Sequence, residues 1–446
     1  MSSYYNKLII YEFEIEAVSP IYFGGSEKGE LVKDSEEKPF LFGNSIGGSL
    51  RNYLTSIEIS QDVVLKYLGG HQGEKFLESR LYISDGKVMY NKVYCKEGTK
   101  VNPMYGSAEK NYKYTIEYLA PQTVVTFRIE CEIQDQQDEK EFNKFIGTWQ
   151  KGFENRLIKL GGLQNNGFGE FKLNHLKKLE YIFSSENAIN SYIFSLDEME
   201  LKSVENLESY GSQVKRKVLF SMSGEFPYGV YQGFLDEDEE DSKQKSIQDF
   251  NNKYYLPASS FKGVVKNEIR NLLSRFIKDE IIISKKLNEI FGEQDQKGKI
   301  MFFYVILENA QVIKTRRFKE DENKITDLWD DVSTYIKVDR LTGGASDGSM
   351  IKQKEICGDA ELKCVLMNVE QDDNPYIFPL IYAFKRIGEG LVPLGGRTSI
   401  GLGEFFSTKI EISGMMEECI VLNESNMGNV DSIKKYYDTF EGWCSQ

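Results

Sequence analysis

Apolar and polar residues alternate near the start of the chain in a pattern that predicts a β-strand. Residues 12–17 read EFEIEA, and a two-residue period places successive side chains on opposite faces of a sheet. Residues 218–222, VLFSM, repeat the pattern with Val218, Phe220 and Met222 on the buried face. The two segments therefore predict two half-buried strands, far apart in the chain.

Each predicted strand is followed by a segment with the 3.6-residue period of a helix. After Pro257, either Ser259 or Ser260 is predicted to cap the second helix. Its buried face is predicted to hold Phe261, Val264, Val265, Ile269, Leu272, Leu273 and Phe276. The first helix is predicted to be shorter, with Ile46, Leu50, Tyr53 and Leu54 inward. Further strands are predicted at 123–131, 170–173, 299–307 and 404–410.

The chain also repeats itself. Residues 160–171 and 394–405 read LGGLQNNGFGEF and LGGRTSIGLGEF, and residues 43–51 and 258–266 read GNSIGGSLR and ASSFKGVVK. Between these motifs lie two shorter pairs, YLGG (67–70) with IFGE (290–293) and NPMYGSA (102–108) with DRLTGGA (339–345). Motifs that recur in the same order indicate two copies of one domain.

The repeat predicts the organisation of the chain. A first domain is predicted at 1–185 and a second at 213–415, with an acidic linker at 186–212 and an acidic tail at 416–446. One early helix among several strands, with a strand returning at the end, predicts an α+β fold of the ferredoxin-like type with insertions in each copy.

The net charge of −14 is unevenly distributed. Residues 195–210, 236–241 and 411–446 carry −4, −6 and −5, so the remaining chain is close to neutral. The total argues against a generally cationic protein that binds nucleic acid or membrane. A local basic groove is still compatible with a net charge of −14, because the acidic residues are concentrated in three segments.

Rare residue types exclude other chemistry. The six cysteines contain no CxxC pair, which argues against a zinc site and favours reduced thiols in a cytoplasmic protein. His71 and His175 are the only histidines, which argues against a histidine-rich metal site. No apolar run approaches the roughly 18 residues of a membrane span. We therefore expect a cytoplasmic protein with no membrane partner.

Small and basic residues cluster at both predicted helix starts. Exposed N–H groups and the helix dipole make such a start suitable for a phosphate, and glycine allows a nucleic-acid backbone to approach. The candidate RNA-binding residues are Ser45, Gly48 and Arg51 in the first copy, and Ser259, Ser260, Lys262, Gly263 and Lys266 in the second. The alternative is an ordinary capped helix that packs on a sheet through its glycine.

The glycine-rich segments end each copy. They lack the strand before, the helix after and the acidic residue that a dinucleotide site needs. Successive N–H groups in such a turn either hold an RNA backbone or form a tight corner, and the two interpretations are compatible. The candidate RNA-binding residues here are Gly161, Gly162, Gly395, Gly396 and Arg397.

Residues 339–345, DRLTGGA, predict an exposed hairpin with glycines in its turn. An arginine on a projecting hairpin can reach between nucleotides, which makes Arg340 a candidate RNA contact. Arg316 and Arg317 lie nearby in sequence and are candidates too. The alternative for all three is a solvated surface.

The acidic run at 236–241 lies between the first strand and the helix of the second copy. Adjacent carboxylates are usually solvated, but they also bind Mg²⁺ for phosphodiester cleavage. Asp236, Asp238 and Asp241 are therefore candidate catalytic residues. The corresponding loop of the first copy offers only Glu27, Glu30 and Asp34.

These marks together resemble the RAMP superfamily of CRISPR-associated proteins. The first copy carries Gly24-Gly25, GNSIGGSLR, YLGG, SRLYISD (79–85) and GGLQNNGFGEF; the second carries PASSFKG, IFGE, DRLTGGASDG and PLGGRTSIGLGEF. The resemblance covers residues 5–180 and 213–412. Two copies in one chain look like the fused backbone subunits of type III-D-like effector complexes.

The resemblance implies a fold like that of RNA-recognition motifs, with a thumb hairpin, and a guide RNA (crRNA), target RNA and other CRISPR effector subunits as partners. It also implies that a backbone subunit can cleave target RNA with an aspartate after the first strand. The second copy reads YQGF at 231–234 in place of the family's glycine pair, so cleavage is left open.

Two other functions are compatible with the sequence. A stand-alone endoribonuclease that processes precursor guide RNA can share this fold, and it would need His71, His175 or a tyrosine and lysine as general acid and base. A purely structural backbone subunit would need no catalytic residue.

Overall fold

The computed structural model describes most of the chain. It covers residues 7–24, 29–73, 75–101, 108–183, 192–193, 201–210, 217–231, 244–245, 248–250, 253–293, 296–321, 324–339, 341–367, 369, 374–414, 420–423, 426–427 and 430–445. The backbone divides into two compact units. Unit one is Met1–Tyr94, Ile116–Gln164 and Phe168–Lys215, and unit two is Cys95–Thr115, Asn165–Gly167 and Arg216–Gln446.

The first repeat contains three helices and a central antiparallel sheet. Its helices are α1 (Gly43–Ser56), α2 (Gln61–Leu68) and α3 (Gln136–Glu154). Its strands are β1 (Lys7–Ala17), β2 (Gly70–Gln72), β3 (Lys75–Leu77), β4 (Leu81–Ile83), β5 (Lys87–Met89), β6 (Val93–Val101), β7 (Ala108–Leu119), β8 (Val124–Ile133), β9 (Phe171–Ile182) and β10 (Lys202–Ser203).

The sheet of the first repeat has the order β10-β9-β1-β8-β4, and β5 also pairs with β8. β1 therefore lies between the last and the third strands of a β-α-β-β-α-β unit, and its pairings with both are antiparallel. This arrangement is the ferredoxin-like fold. Outside the sheet, β6 and β7 form a separate two-stranded hairpin.

The core of the first repeat lies between the sheet and its helices. Phe13 on β1 stacks on Phe127 of β8 at 5.2 Å between ring centroids, and Tyr11 meets Phe142 of α3 at 5.7 Å. The predicted inward positions of α1 are all buried, at Ile46, Leu50, Tyr53 and Leu54. The strand and helix patterns are therefore confirmed here.

The second repeat uses the same elements with additions. Its helices are α4 (Ala258–Leu273), α5 (Glu280–Phe291), α6 (Ile377–Gly388) and α7 (Val430–Ser445). Its strands are β11 (Val218–Val230), β12 (Gln244–Lys245), β13 (Gln248–Phe250), β14 (Lys253–Leu256), β15 (Gly292–Glu293), β16 (Gln296–Lys297), β17 (Ile300–Phe302), β18 (Val305–Val312), β19 (Thr315–Asp321), β20 (Lys324–Asp330), β21 (Ser333–Val338), β22 (Ala345–Gln353), β23 (Ile356–Leu366), β24 (Phe406–Ser413), β25 (Ile420–Asn423) and β26 (Asn426–Met427).

The main sheet of the second repeat has the order β13-β14-β18-β23-β11-β24-β25-β26, and β17 also pairs with β23. β11 lies between β23 and β24 as β1 lies between β8 and β9, so the two repeats share one topology. Phe261 of α4 contacts Phe302 and Phe384 at 5.3 and 5.5 Å between ring centroids, which joins both helices to the sheet. Two α+β, ferredoxin-like domains are confirmed.

Phe276 departs from the predicted pattern. Helix α4 ends at Leu273, and Phe276 lies in the following turn with 38% of its surface exposed. Its ring instead contacts Phe440 of α7 at 5.3 Å. The prediction that Phe276 extends the buried face of α4 is wrong, because the chain leaves the helix before this residue and meets a helix from the C-terminal end of the chain.

Candidate nucleic-acid interface

The predicted serine cap of the second helix is wrong. Pro257 is the N-cap of α4 with an extended backbone (φ −60°, ψ 135°), and its side chain makes no capping hydrogen bond. The Ser260 N–H donates to the Pro257 carbonyl oxygen at 2.9 Å. Proline has its φ already set for this position and has no N–H to satisfy, so it begins the helix and places Ser259 and Ser260 inside the first turn.

The first N–H of α1 is bound by an acidic side chain. The Gly43 N–H donates to Oδ1 of Asp85 at 2.7 Å. A Cβ on Gly43 would overlap the carbonyl oxygens of Ile83 and Ser84, so only glycine fits this approach to β4. A carboxylate is favourable at a helix N-terminus. The start of α1 thus already holds one negative group, and a contact between Ser45 and RNA stays a prediction.

Gly48 and Gly263 occupy the same position in the two repeats and are both exposed. Within the described part of the chain, a Cβ added to either one would meet no atom within 4 Å. The alternative in which the helix packs on a sheet through its glycine fits Gly43 of α1, which approaches Ile83 of β4, and does not fit Gly48 or Gly263. A glycine inside a helix costs about 1 kcal/mol relative to alanine, and packing against the described residues does not account for that cost at Gly48 or Gly263.

The aligned cations of α1 and α4 lie at the ends of the following helices. Nη2 of Arg51 donates to the carbonyl oxygens of Leu68 and Gly69 at 2.7 and 3.0 Å, which caps the end of α2. Nζ of Lys266 lies 5.7 Å from the centroid of the Phe291 ring, at the end of α5. This shared geometry explains the YLGG and IFGE marks, in which Gly69 and Gly292 take positive φ values of 67° and 79°.

Lys262 and Lys266 lie one turn apart on α4, and both side chains are partly buried. Desolvation lowers the pKa of Lys262 to about 8, with repulsion from Lys266 as the second cause. Desolvation also lowers the pKa of Lys266, and the charge of Arg270 adds to this effect. No carboxylate of the described residues raises the pKa of Lys262. The charge of Glu293 acts in the opposite direction on Lys266. Lys262 and Lys266 are therefore two partly desolvated cations that an anion would stabilise.

The glycine-rich segments form the same corner in both repeats. The Gly162 N–H donates to the carbonyl oxygen of Tyr22 at 2.8 Å, and the Gly396 N–H donates to that of Tyr231 at 2.7 Å. Gly161 and Gly395 have φ values of 86° and 87°. A Cβ on either would lie 2.5 or 2.6 Å from the oxygen of the same tyrosine. The tight-corner interpretation is confirmed, and an RNA contact at these glycines stays a prediction.

Arg397 is the one basic candidate within these corners. Its φ of 60° is left-handed, as is that of Leu163 (φ 56°) at the aligned position of the first repeat. Burial raises the pKa of the Tyr231 hydroxyl, and the charge of Arg397 opposes that shift. Arg397 therefore lies close to Tyr231, at a position where the first repeat has no charge.

The predicted hairpin is present between β21 and β22. Oδ1 of Asp339 accepts hydrogen bonds from the N–H groups of Leu341 and Thr342, both at 2.9 Å. These hydrogen bonds lower the pKa of the Asp339 carboxyl. The tip exposes Leu341, with 95% of its surface accessible, and Val338, with 56%. The exposed apolar side chains of this tip were not predicted, because the sequence pattern there is dominated by glycine and charge.

Two regions of the chain match the family model of the RAMP superfamily, residues 14–172 and residues 223–405. The chain belongs to the RAMP superfamily. The two matches confirm the tandem arrangement, and RAMP proteins are CRISPR-associated and bind RNA. A search of curated proteins finds no significant match to the chain. Among the described residues, no helix is long and apolar enough to cross a membrane.

Four of the predicted site residues of this RAMP protein lie outside the described residues. They are Asp236, Asp238, Asp241 and Arg340. Arg316 and Arg317 lie on β19, which pairs with β20 in a hairpin of its own. In the described part of the chain, no group of three or more His, Cys, Asp or Glu residues is arranged to hold a metal ion. Mg²⁺ binding thus stays a prediction.

Charges on the outer face of the first RAMP sheet form ion pairs. Nε of Arg128 lies 2.8 Å from Glu12, and Nζ of Lys172 lies 3.0 Å from Glu16. On the face of this sheet that lies away from the core, positive and negative side chains therefore pair with each other. Such pairs leave less positive charge for a polyanion than Lys262 of α4, whose pKa no carboxylate of the described residues raises.

Asp34 also has a local structural role. Its Oδ1 accepts the N–H groups of Glu36 and Lys38 at 2.8 and 2.9 Å, which closes an exposed turn. The one aspartate that the first repeat offers before α1 thus stabilises the backbone of its own loop.

Proposed function

We propose that this chain is a tandem RNA-binding backbone subunit of a multisubunit type III CRISPR complex, similar to the III-D type, and that it grips crRNA and target RNA. The observation that carries the proposal is the pair of open glycines, Gly48 and Gly263. They recur on the first helix of two RAMP repeats although the described chain gives neither one a packing role.

The glycines support an external contact because both lower helix stability without an internal gain. A residue without a side chain allows a sugar–phosphate backbone to approach the helix closely. The surface nearby is basic in the second repeat, where Lys262 and Lys266 flank Gly263. A nucleic-acid backbone accounts for both features, since it is narrow and negatively charged.

The hairpin between β21 and β22 supports the same function. Its tip is held by Asp339 and presents Leu341 almost fully to solvent. Apolar side chains at such a tip can insert between bases and unstack them. In the proposed complex, this thumb separates neighbouring nucleotides while the helices hold the backbone. Neighbouring backbone subunits, a small helical subunit and a large signalling subunit are the proposed protein partners.

A leucine in place of each open glycine is expected to separate RNA binding from folding. Gly48→Leu and Gly263→Leu should each raise the free energy of unfolding by about 0.5–1 kcal/mol, because leucine is the better helix former. Each should also weaken RNA binding about tenfold or more, because the side chain blocks the backbone approach. Chemical denaturation and fluorescence anisotropy with labelled single-stranded RNA measure the two effects.

Gly442 on α7 provides the matched control. It is a helical glycine around which a Cβ would also meet no described atom within 4 Å. Gly442→Leu should stabilise the chain to a similar extent and leave RNA affinity unchanged. If Gly48→Leu and Gly263→Leu bind RNA as the unmodified chain does, the helix faces are not the RNA interface.

Cleavage of target RNA by the second repeat is a further part of the proposal. Asp236, Asp238 and Asp241 belong to the acidic run between β11 and α4 in sequence, where RAMP backbone subunits carry a catalytic aspartate. Carboxylates of this kind bind Mg²⁺ through oxygen.

Replacing Asp236, Asp238 and Asp241 together by alanine is expected to abolish Mg²⁺-dependent cleavage of guide-matched RNA by the assembled complex, while guide RNA stays bound. Gel analysis of the labelled target measures cleavage, and extraction of copurified RNA measures retention. Cleavage that persists in this variant would assign the subunit a structural role. Cleavage of precursor RNA by the isolated chain in EDTA would favour the processing endoribonuclease instead.

A further inference from the structure

Three aligned positions on one face of the first helix carry different charges in the two repeats or different basic residues. In order along the helices, α1 has Gly47, Arg51 and Thr55 where α4 has Lys262, Lys266 and Arg270. Positions four residues apart lie on one helical face, about 6 Å from each other along the axis. The second repeat therefore has a row of three cations, and the first repeat has one.

The row on α4 is arranged to receive an anion. The charge of Lys266 disfavours the charged form of Lys262, and both side chains are already partly removed from water. Glu293 is the carboxylate that acts on Lys266, and it does not act on Lys262. Arg270 forms an ion pair with Glu280 of α5, so its charge is satisfied within the chain. Gly263 leaves the surface beside Lys262 open. A phosphate between the two lysines would relieve their repulsion in a setting where charge interactions are less screened than in water.

The corresponding surface of α1 has no cation of this kind. Gly47 has no side chain, and Nη2 of Arg51 is held by the carbonyl oxygens that end α2. Asp85 places a carboxylate at the first turn of α1. Gly48 nevertheless leaves this surface as open as that of α4.

We propose that the two repeats grip RNA by different physical means: Lys262 and Lys266 on α4 form ion pairs with RNA phosphates, whereas α1 contacts the RNA backbone without an ion pair. This inference rests on the proposed RNA-binding function. The salt-dependent part of the RNA affinity then comes from the second repeat. The first repeat contributes close, neutral contact at Gly48.

The salt dependence of RNA binding tests whether the ion pairs with RNA come from the second repeat. The full-length chain is titrated against fluorescein-labelled oligouridylate over a series of KCl concentrations, with anisotropy as the readout. Each phosphate contact on a single strand contributes about 0.7 to the slope of log K against log salt. Lys262→Ala and Lys266→Gln should each reduce the slope by about 0.7 and weaken binding about tenfold at low salt. Thermal unfolding checks that both variants fold.

Two further variants complete the test. Lys385→Ala removes an exposed lysine on α6 that pairs with Glu389, and the slope should not change. Gly47→Lys supplies the first repeat with the cation that it lacks, and the slope should rise by about 0.7. Among the described residues, a Cβ at Gly47 approaches only the end of the Ile83 side chain, at 3.2 Å, and this flexible end can move aside.

The outcomes separate this inference from the proposed function. If the unmodified chain shows no salt-dependent binding of oligouridylate, the RNA-binding function itself is overturned. If the chain binds and both lysine variants keep its slope, the ion pairs on α4 are overturned while RNA binding stands. An unchanged slope in Gly47→Lys overturns the assignment of α1 as an RNA-facing surface.

Discussion

Asp138→Ala is expected to lower the free energy of unfolding by about 3–5 kcal/mol, because it removes the partner of charges that are themselves partly buried. The Asp138 side chain is only 5% exposed and belongs to the first turn of α3. Nη2 of Arg80 lies 2.6 Å from Oδ2, and Nζ of Lys66 lies 3.0 Å from Oδ1. Urea denaturation followed by circular dichroism measures the loss.

The expected effect is large because Asp138 joins several elements. Arg80 precedes β4, Lys66 lies on α2, and the Gln134 N–H before α3 donates to Oδ2 of Asp138 at 3.1 Å. Alanine would leave the guanidinium of Arg80, which is 21% exposed, without its carboxylate. An unpaired charge in a partly buried position accounts for most of the predicted cost.

Glu141→Ala is the matched control. Glu141 pairs with the same Lys66 at 2.6 Å, but its side chain is 38% exposed. Exposed ion pairs contribute about 1 kcal/mol or less, so this variant should be nearly as stable as the unmodified chain. Equal losses in the two variants would mean that burial of Asp138 has no special role.

The pH dependence of stability provides a second measurement on the same residue. Burial acts to raise the pKa of Asp138, but hydrogen bonds from Arg80, the Gln134 N–H and Lys66 outweigh it and hold the pKa well below its usual range. The carboxylate of Asp138 therefore becomes protonated at a lower pH in the native state than in the unfolded state. The contribution is present above about pH 4 and is lost as the pH falls further. Asp138→Ala should lack this part of the acid transition.

Gly403→Ala is expected to destabilise the second repeat by about 2–4 kcal/mol, from left-handed backbone strain together with overpacking. Gly403 has a φ of 88°. A Cβ there would overlap the Leu394 carbonyl oxygen, which is backbone and cannot turn away. The Gly403 N–H also donates to the Gly229 carbonyl oxygen at 2.8 Å, so a shift of the chain would break the corner.

Gly401→Ala isolates the contribution of the overlap. Gly401 has a similar φ of 92°, but a Cβ there meets no described atom within 4 Å. We expect only the strain of about 1–2 kcal/mol in this variant. Thermal unfolding of both variants measures the difference. A Gly403→Ala loss no larger than that of Gly401→Ala would contradict the role of the corner.

The repeat and the order of elements were predictable from the sequence because they depend on local patterns. A two-residue period predicts β1 and β11, and a 3.6-residue period predicts α1 and α4 with their buried faces. Local patterns failed at the edges of elements. Ser259 and Ser260 are usual capping residues, but the preceding proline begins the helix. Helical spacing continued to Phe276, although the helix ends at Leu273.

The C-terminal helix shows a second limit of sequence reasoning. Residues 430–445 lie in a segment that composition alone described as an acidic tail. In the structure, Phe440 and Tyr437 of α7 meet Phe378 of α6 at 5.5 and 5.1 Å between ring centroids. Nζ of Lys286 on α5 donates to the Trp443 carbonyl oxygen at 2.6 Å. The net charge of the segment does not indicate where its aromatic rings pack, and α7 has four of them: Tyr436, Tyr437, Phe440 and Trp443.

The sequence by itself determined that the chain holds two RAMP repeats, which residues face each core, and that glycines and cations recur at the helix starts. Only the tertiary structure decided what those residues do. It shows that Arg51 caps α2. Among the described residues, a Cβ on Gly48 or Gly263 would meet no atom within 4 Å, and no carboxylate raises the pKa of Lys262. The physical reason is that a charge or a glycine acts through its neighbours in space. Those neighbours come from segments that no local pattern connects.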